Sequence, residues 1–117
     1  MTEDRLPLIE RVRTALADAG HPEPPEKRMF GCRAFMVDEK MLVAVRPNAD
    51  LLVRIDPERC DELLRVAGTK PAEMGAGRTM GPGWLDVATG ALEDDDALTF
   101  WIGVALEYNP RARKSGR

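Results

Sequence analysis

Histidine occurs once in this sequence of 117 residues, cysteine twice, and aromatic residues make up only 5% of it. The single histidine, His21, lies in the proline-rich stretch His21-Pro22-Glu23-Pro24-Pro25-Glu26 and reads as a solvated loop residue. A lone histidine cannot form a His pair at helical spacing, and it sits in no His-carboxylate motif, so the pattern points to no metal centre. Cys32 and Cys60 are far apart and form no CxxC, which argues against both a disulfide framework and a zinc site. No run approaches the roughly 20 apolar residues needed to span a bilayer. The opening Met1-Thr2-Glu3-Asp4-Arg5 is acidic and lacks the basic start and apolar stretch of a secretory signal. The expected address is the cytoplasm, with no membrane partner, metal or cofactor.

Apolar residues make up 44% and charged residues 32%, the balance of a globular domain. Net charge is −3, yet Arg111, Arg113, Lys114 and Arg117 all fall in the last seven residues; with these four set aside the body carries −7. An acidic body repels phosphate, so a nucleic-acid partner is disfavoured unless the tail or a local patch supplies the contacts. Arg28 and Arg33, close to Phe30, form the one short basic-aromatic combination suited to that role.

Leu8, Ile9, Val12, Leu16 and Ala19 follow one helical face, and Gly20 and Pro22 mark its end. Strands are expected from Arg28 to Val37 and from Lys40 to Arg46 about a turn at Asp38-Glu39, and a third over Leu51 to Ile55. Asp56-Pro57 opens a second helix with Cys60, Leu63, Leu64 and Ala67 on its apolar face and Gly68 at its end. A thiol so placed behaves as a small hydrophobe. A shorter hairpin should pair Arg78 to Met80 with Trp84 to Ala88. Asp94 to Asp96 open a last helix, closed by Asn109-Pro110. The reading is a single α+β domain in the order α-β-β-β-α-β-β-α, with helices packed on one face of an antiparallel sheet.

That last helix is apolar on nearly every side, which marks Phe100, Trp101, Val104 and Tyr108 as a candidate self-association surface, the expected basis of a homodimer. Gly103 within it suggests the close approach of another backbone. Gly75-Ala76-Gly77-Arg78-Thr79-Met80-Gly81 has three residues between its last two glycines where the dinucleotide fingerprint needs two, lacks the P-loop ending, and precedes a strand. Its glycines suit a twisted hairpin or bulge, with Arg78, Thr79 and Trp84 left as a candidate small recognition patch. No nucleophile turn or acid-base pair is recognisable, so no catalytic residue is assigned.

Several segments together resemble the TfoX/Sxy N-terminal domain family, a family of competence-regulator domains. They are Lys27-Arg28-Met29-Phe30-Gly31, Phe35-Met36-Val37-Asp38-Glu39-Lys40-Met41 and Leu52-Val53-Arg54-Ile55, then Met74-Gly75, Arg78-Thr79-Met80 and Gly83-Trp84, and finally Leu98, Trp101 and Ala105. The chain departs from the family pattern at Cys32 and Glu39, where glycine is common. Residues 111–117 read as a basic disordered tail, and the resemblance implies a TfoX N-terminal-like domain over residues 1–110. It also implies a module without known catalytic residues, not an enzyme, that works through a protein partner in a transcription-related setting. Two rival readings are a nucleic-acid-binding protein that uses the tail and a small-ligand binder that uses the glycine-rich segment.

Overall fold

A computed structural model of the chain describes residues 6–29, 31–73 and 80–112. The apolar stripe of the first segment forms helix α1, Leu6–Asp18, and buries Leu8, Ile9, Val12 and Leu16. It ends where Gly20 takes a φ of 97° and the His21 amide donates to the Leu16 carbonyl at 2.8 Å. The prolines of the connector then deliver the chain to the sheet.

The expected strand from Arg28 to Val37 is two strands. β1, Glu26–Met29, and β2, Cys32–Val37, pair antiparallel with Met29 opposite Cys32. The chain reverses at Gly31, whose φ of 81° is open to glycine and costly for other residues. β3, Lys40–Val45, follows across a two-residue turn in which Asp38 and Glu39 have φ of 55° and 68°. Positive φ at both central positions is the conformation that matches strand twist in a tight hairpin, here adopted without glycine. β4, Leu51–Arg54, pairs with β3.

Asp56 then accepts the Glu58 amide at 2.9 Å and starts a 3-10 turn that leads into α2, Cys60–Leu63. This helix is much shorter than its apolar spacing suggests, and Ala67 is exposed. The Thr69 hydroxyl donates to the Val66 carbonyl at 2.8 Å and lies near those of Leu63 and Leu64, so a side chain rather than further turns satisfies the helix end. β5, Thr69–Pro71, is the unexpected strand. It pairs with β6, Trp84–Val87, in the place expected for Arg78 to Met80, of which Arg78 and Thr79 lie outside the described residues. The sheet order is β1-β2-β3-β4-β6-β5, antiparallel throughout. Proline cannot donate to a ladder, which suits β5 to its edge position.

α3, Asp95–Tyr108, begins at Asp94, whose carboxylate accepts the Asp96 amide at 2.9 Å. At its far end the Lys40 ammonium donates to the Asn109 carbonyl at 2.9 Å, a cation set against the negative end of the helix. α1 and α3 cover one face of the sheet, with Trp101, Ile102 and Leu98 packed on Phe35, Val43, Val53 and Leu85. Trp101 and Val104 are thus core residues, 1% and 6% exposed, and unavailable for self-association. Their neighbour Phe100 is 45% exposed, and Tyr108 lies beside the Arg111 guanidinium, 5.1 Å from its ring centre. α3 is apolar all round because it meets the sheet, α1 and its own C-terminal turn, so those four side chains do not make one surface.

Gly103 is on the exposed side, with nothing within 4 Å of where a Cβ would stand, so no backbone among the described residues of this chain approaches it closely. Gly103→Ala is therefore expected to raise stability by about 1 kcal/mol, checked by urea unfolding. Arg111 and Ala112, assigned from the sequence to the tail, belong to the folded body: Arg111 pairs with Asp56 at 3.0 Å and Ala112 is buried.

Candidate functional site at the outer face of the sheet

Strand alternation places a second set of side chains on the face turned away from the helices. Cys32, Ala34, Met36, Ala44 and Leu52 form a floor of small and flexible residues, with Ala72 against them and Met80 and Trp84 packed at their margin. One carboxylate, Asp86, sits on this face in the middle of β6 and is 5% exposed. Arg46, at the end of β3, donates from Nε to Asp86 Oδ1 at 2.6 Å and from Nη2 to the Glu73 carbonyl at 3.0 Å, with Met80 Sδ at 4.0 Å. The Met80 amide closes the arrangement on the Ala72 carbonyl at 2.8 Å. One guanidinium thus ties the Glu73 carbonyl, just before the glycine-rich segment, to Asp86 of the sheet.

Burial raises the Asp86 carboxyl above its ordinary range, against the opposing pull of the Arg46 hydrogen bond and charge. Beside it, the Arg54 guanidinium stacks 5.2 Å from the centre of the Trp84 ring, and its burial lowers its affinity for the proton.

Of the residues marked from the sequence, only Trp84 is placed on this face. Arg78 and Thr79 lie outside the described residues. Arg28 and Arg33 stand at the other end of the sheet, since β1 and β6 are separated by β2, β3 and β4. Arg28 is exposed on the edge strand. Arg33 donates to Glu26 Oε1 at 2.9 Å, and Arg13 of α1 donates to the same carboxylate at 2.6 and 2.9 Å. The hydrogen bond from Arg13, supported by Arg33, holds the Glu26 carboxyl below its usual range.

A lowered pKa in the folded state contributes stability above the unfolded value and loses it as pH falls through the folded one. Glu26→Gln is therefore expected to cost about 1–2 kcal/mol at neutral pH, with a difference from the parent that narrows as the pH falls below the ordinary carboxylate range. Urea titrations of both proteins across that range check this.

Arg46 and Asp86 escaped the sequence reading. Their one local signal is a charged residue between Leu85 and Val87 in a short apolar strand. Among the described residues no group of three or more His, Cys, Asp or Glu side chains is placed to hold a metal ion. The Cys60 thiol is pushed up by burial and then by the nearby Asp61 charge, away from the thiolate a nucleophile requires. No helix among the described residues is long and apolar enough to cross a membrane.

Helices on one face of an antiparallel sheet, with the buried Asp86–Arg46 pair of the other face holding the Glu73 carbonyl, define a small α+β domain. The chain belongs to the TfoX N-terminal domain family, whose model matches residues 15–108. No curated protein and no solved structure matches it.

Proposed function

We propose that this domain is a regulatory protein-interaction module, working in a transcription-related setting and turning over no substrate. Family membership supports a regulatory, competence-related role. The observation that carries the non-catalytic reading is the use made of the charged groups. Arg46 is committed to Asp86 and the Glu73 carbonyl, Arg33 and Arg13 to Glu26, and Lys40 to the end of α3. Carboxylates neutralised by bonded arginines hold segments in place and are poorly suited to trading protons with a substrate.

The test is a pull-down from the host with the tagged chain and with a version ending at Ala112, each with and without nuclease treatment. A transcription factor or polymerase subunit recovered equally by both supports the reading. Recovery that disappears with the tail or with nuclease treatment contradicts it and favours tail-driven nucleic-acid binding.

A further inference from the structure

The open sheet has two edges, and the chain treats them differently. β5 has only three residues and ends in Pro71, which offers no amide hydrogen to an incoming strand. β1 carries no proline within it, and no strand lies beyond it among the described residues. Its register shows which backbone groups are open. The Met36 amide donates to the Pro25 carbonyl at 2.9 Å, and pairing then runs Glu26 to Phe35, Lys27 to Ala34, Arg28 to Arg33 and Met29 to Cys32. Antiparallel ladders alternate bonded and non-bonded pairs. The amides and carbonyls of Lys27 and Met29 therefore turn toward β2, and those of Glu26 and Arg28 turn outward.

Both exposed side chains described on this strand are cations, on a body that is acidic as a whole. Lys27 pairs with Ala34 of the outer face and Arg28 with Arg33 of the helix face, so each side of the edge presents one positive charge. The strand's own acid, Glu26, is neutralised by Arg13 and Arg33 and does not oppose an incoming anion. Beside the start of the strand a cleft of about 440 Å³ opens between α1 and the connector, lined by Arg13, Ala17, Pro22, Pro24 and Glu26 among others. Like charges disfavour pairing of this edge with the same edge of a second copy.

We propose that β1 is a docking edge that takes an extended acidic segment of a partner protein as a seventh strand. Backbone bonds to Glu26 and Arg28 would give affinity, and Lys27 and Arg28 would select for carboxylates on both faces of the incoming strand. The proposal rests on the protein-interaction reading and names the chemistry of the partner.

The probe is a fluorescein-labelled ten-residue peptide that repeats Glu-Glu-Thr-Thr, so that carboxylates fall on both faces of the extended strand, titrated with the full chain by fluorescence anisotropy. Saturable binding is expected at low salt, weakening by about ten-fold or more with Lys27→Glu/Arg28→Glu. Arg28→Thr removes the charge alone, whereas Arg28→Pro also removes the outward amide. Proline at a solvent-facing amide of an edge strand is tolerated, so this variant should bind about five-fold more weakly than Arg28→Thr while keeping its melting transition. A peptide N-methylated at alternate residues, in the register that faces β1, should not bind; it tests the same backbone bonds without altering the protein. The proposal is overturned by equal binding of the N-methylated or an all-lysine-for-glutamate peptide, by identical behaviour of the two Arg28 variants, or by no binding at low salt. Those results would leave the interaction reading standing if the pull-down recovers its partner, and would place the contact elsewhere.

Discussion

Arg46→Ala is expected to lower stability by about 3 kcal/mol at pH 8, and the loss should shrink steadily as the pH is lowered. The Asp86 side chain is 7% exposed and Arg46 20%, so the pair is largely removed from water. Removing the guanidinium leaves a carboxylate in an apolar sheet with its main counter-charge gone, together with an unfastened Glu73 carbonyl. Burial already pushes Asp86 above its ordinary range with Arg46 in place; without it the shift grows. A carboxyl whose folded pKa is raised adds most to stability below its unfolded pKa and loses that contribution as pH climbs through the folded value. In the variant, protonation relieves the buried charge, and the gap to the parent narrows on acidification. Asp86→Asn should cost less than Arg46→Ala at pH 8, since the longer arginine can turn toward solvent. Paired urea titrations at pH 5 and pH 8 decide the matter; a gap that stays constant or widens on acidification contradicts the assignment.

Gly68→Ala is expected to cost about 2–3 kcal/mol, from a strained backbone and a direct collision. Gly68 has a φ of 87°, and a Cβ there would stand 2.4 Å from the Cβ of Ala91, in the 3-10 turn that follows β6. The Ala88 amide donates to the Gly68 carbonyl at 2.8 Å, so the two chains are tied at this crossing and have little room to part. Two controls separate the causes. Ala91→Gly in the same chain removes the collision and should restore all but about 1 kcal/mol, the left-handed cost for a non-glycine residue. Gly81→Ala, at a φ of 98° with nothing within 4 Å, should cost only that remainder. Thermal or urea unfolding of the three variants measures each part; equal losses for Gly68→Ala and Gly81→Ala would remove the collision from the account.

Much of this architecture was legible because it is written in local chemistry. The periodic apolar face of α1 and the capping carboxylates Asp56 and Asp94 act within a few residues of themselves. The Asp38-Glu39 turn was legible from the flanking strands despite the missing glycine. What escaped depends on distant partners. β5 is three residues long with a proline, and becomes a strand only because β6 lies beside it. Arg28 to Val37 reads as one strand because a single glycine interrupts it, and the pairing of β1 back onto β2 is a tertiary choice. Arg46 and Asp86 are forty residues apart and meet through the β4–β6 pairing. Phe100, Trp101, Val104 and Tyr108 look alike on a helix that is apolar all round, and only packing sorts core from surface.

On this reading a protein partner meets the folded body of the domain. The chain has four lysines, Lys27, Lys40, Lys70 and Lys114, one each on the open edge strand, beneath the end of α3, on the opposite edge and near the C-terminus. Lysine-directed cross-linking in the host, after nuclease treatment and read by mass spectrometry, therefore reports which region touches a partner. Cross-links are expected from Lys27 to an acidic stretch of one partner protein, retained when the chain ends at Ala112. Cross-links confined to Lys114, or to other copies of the same chain, would contradict it.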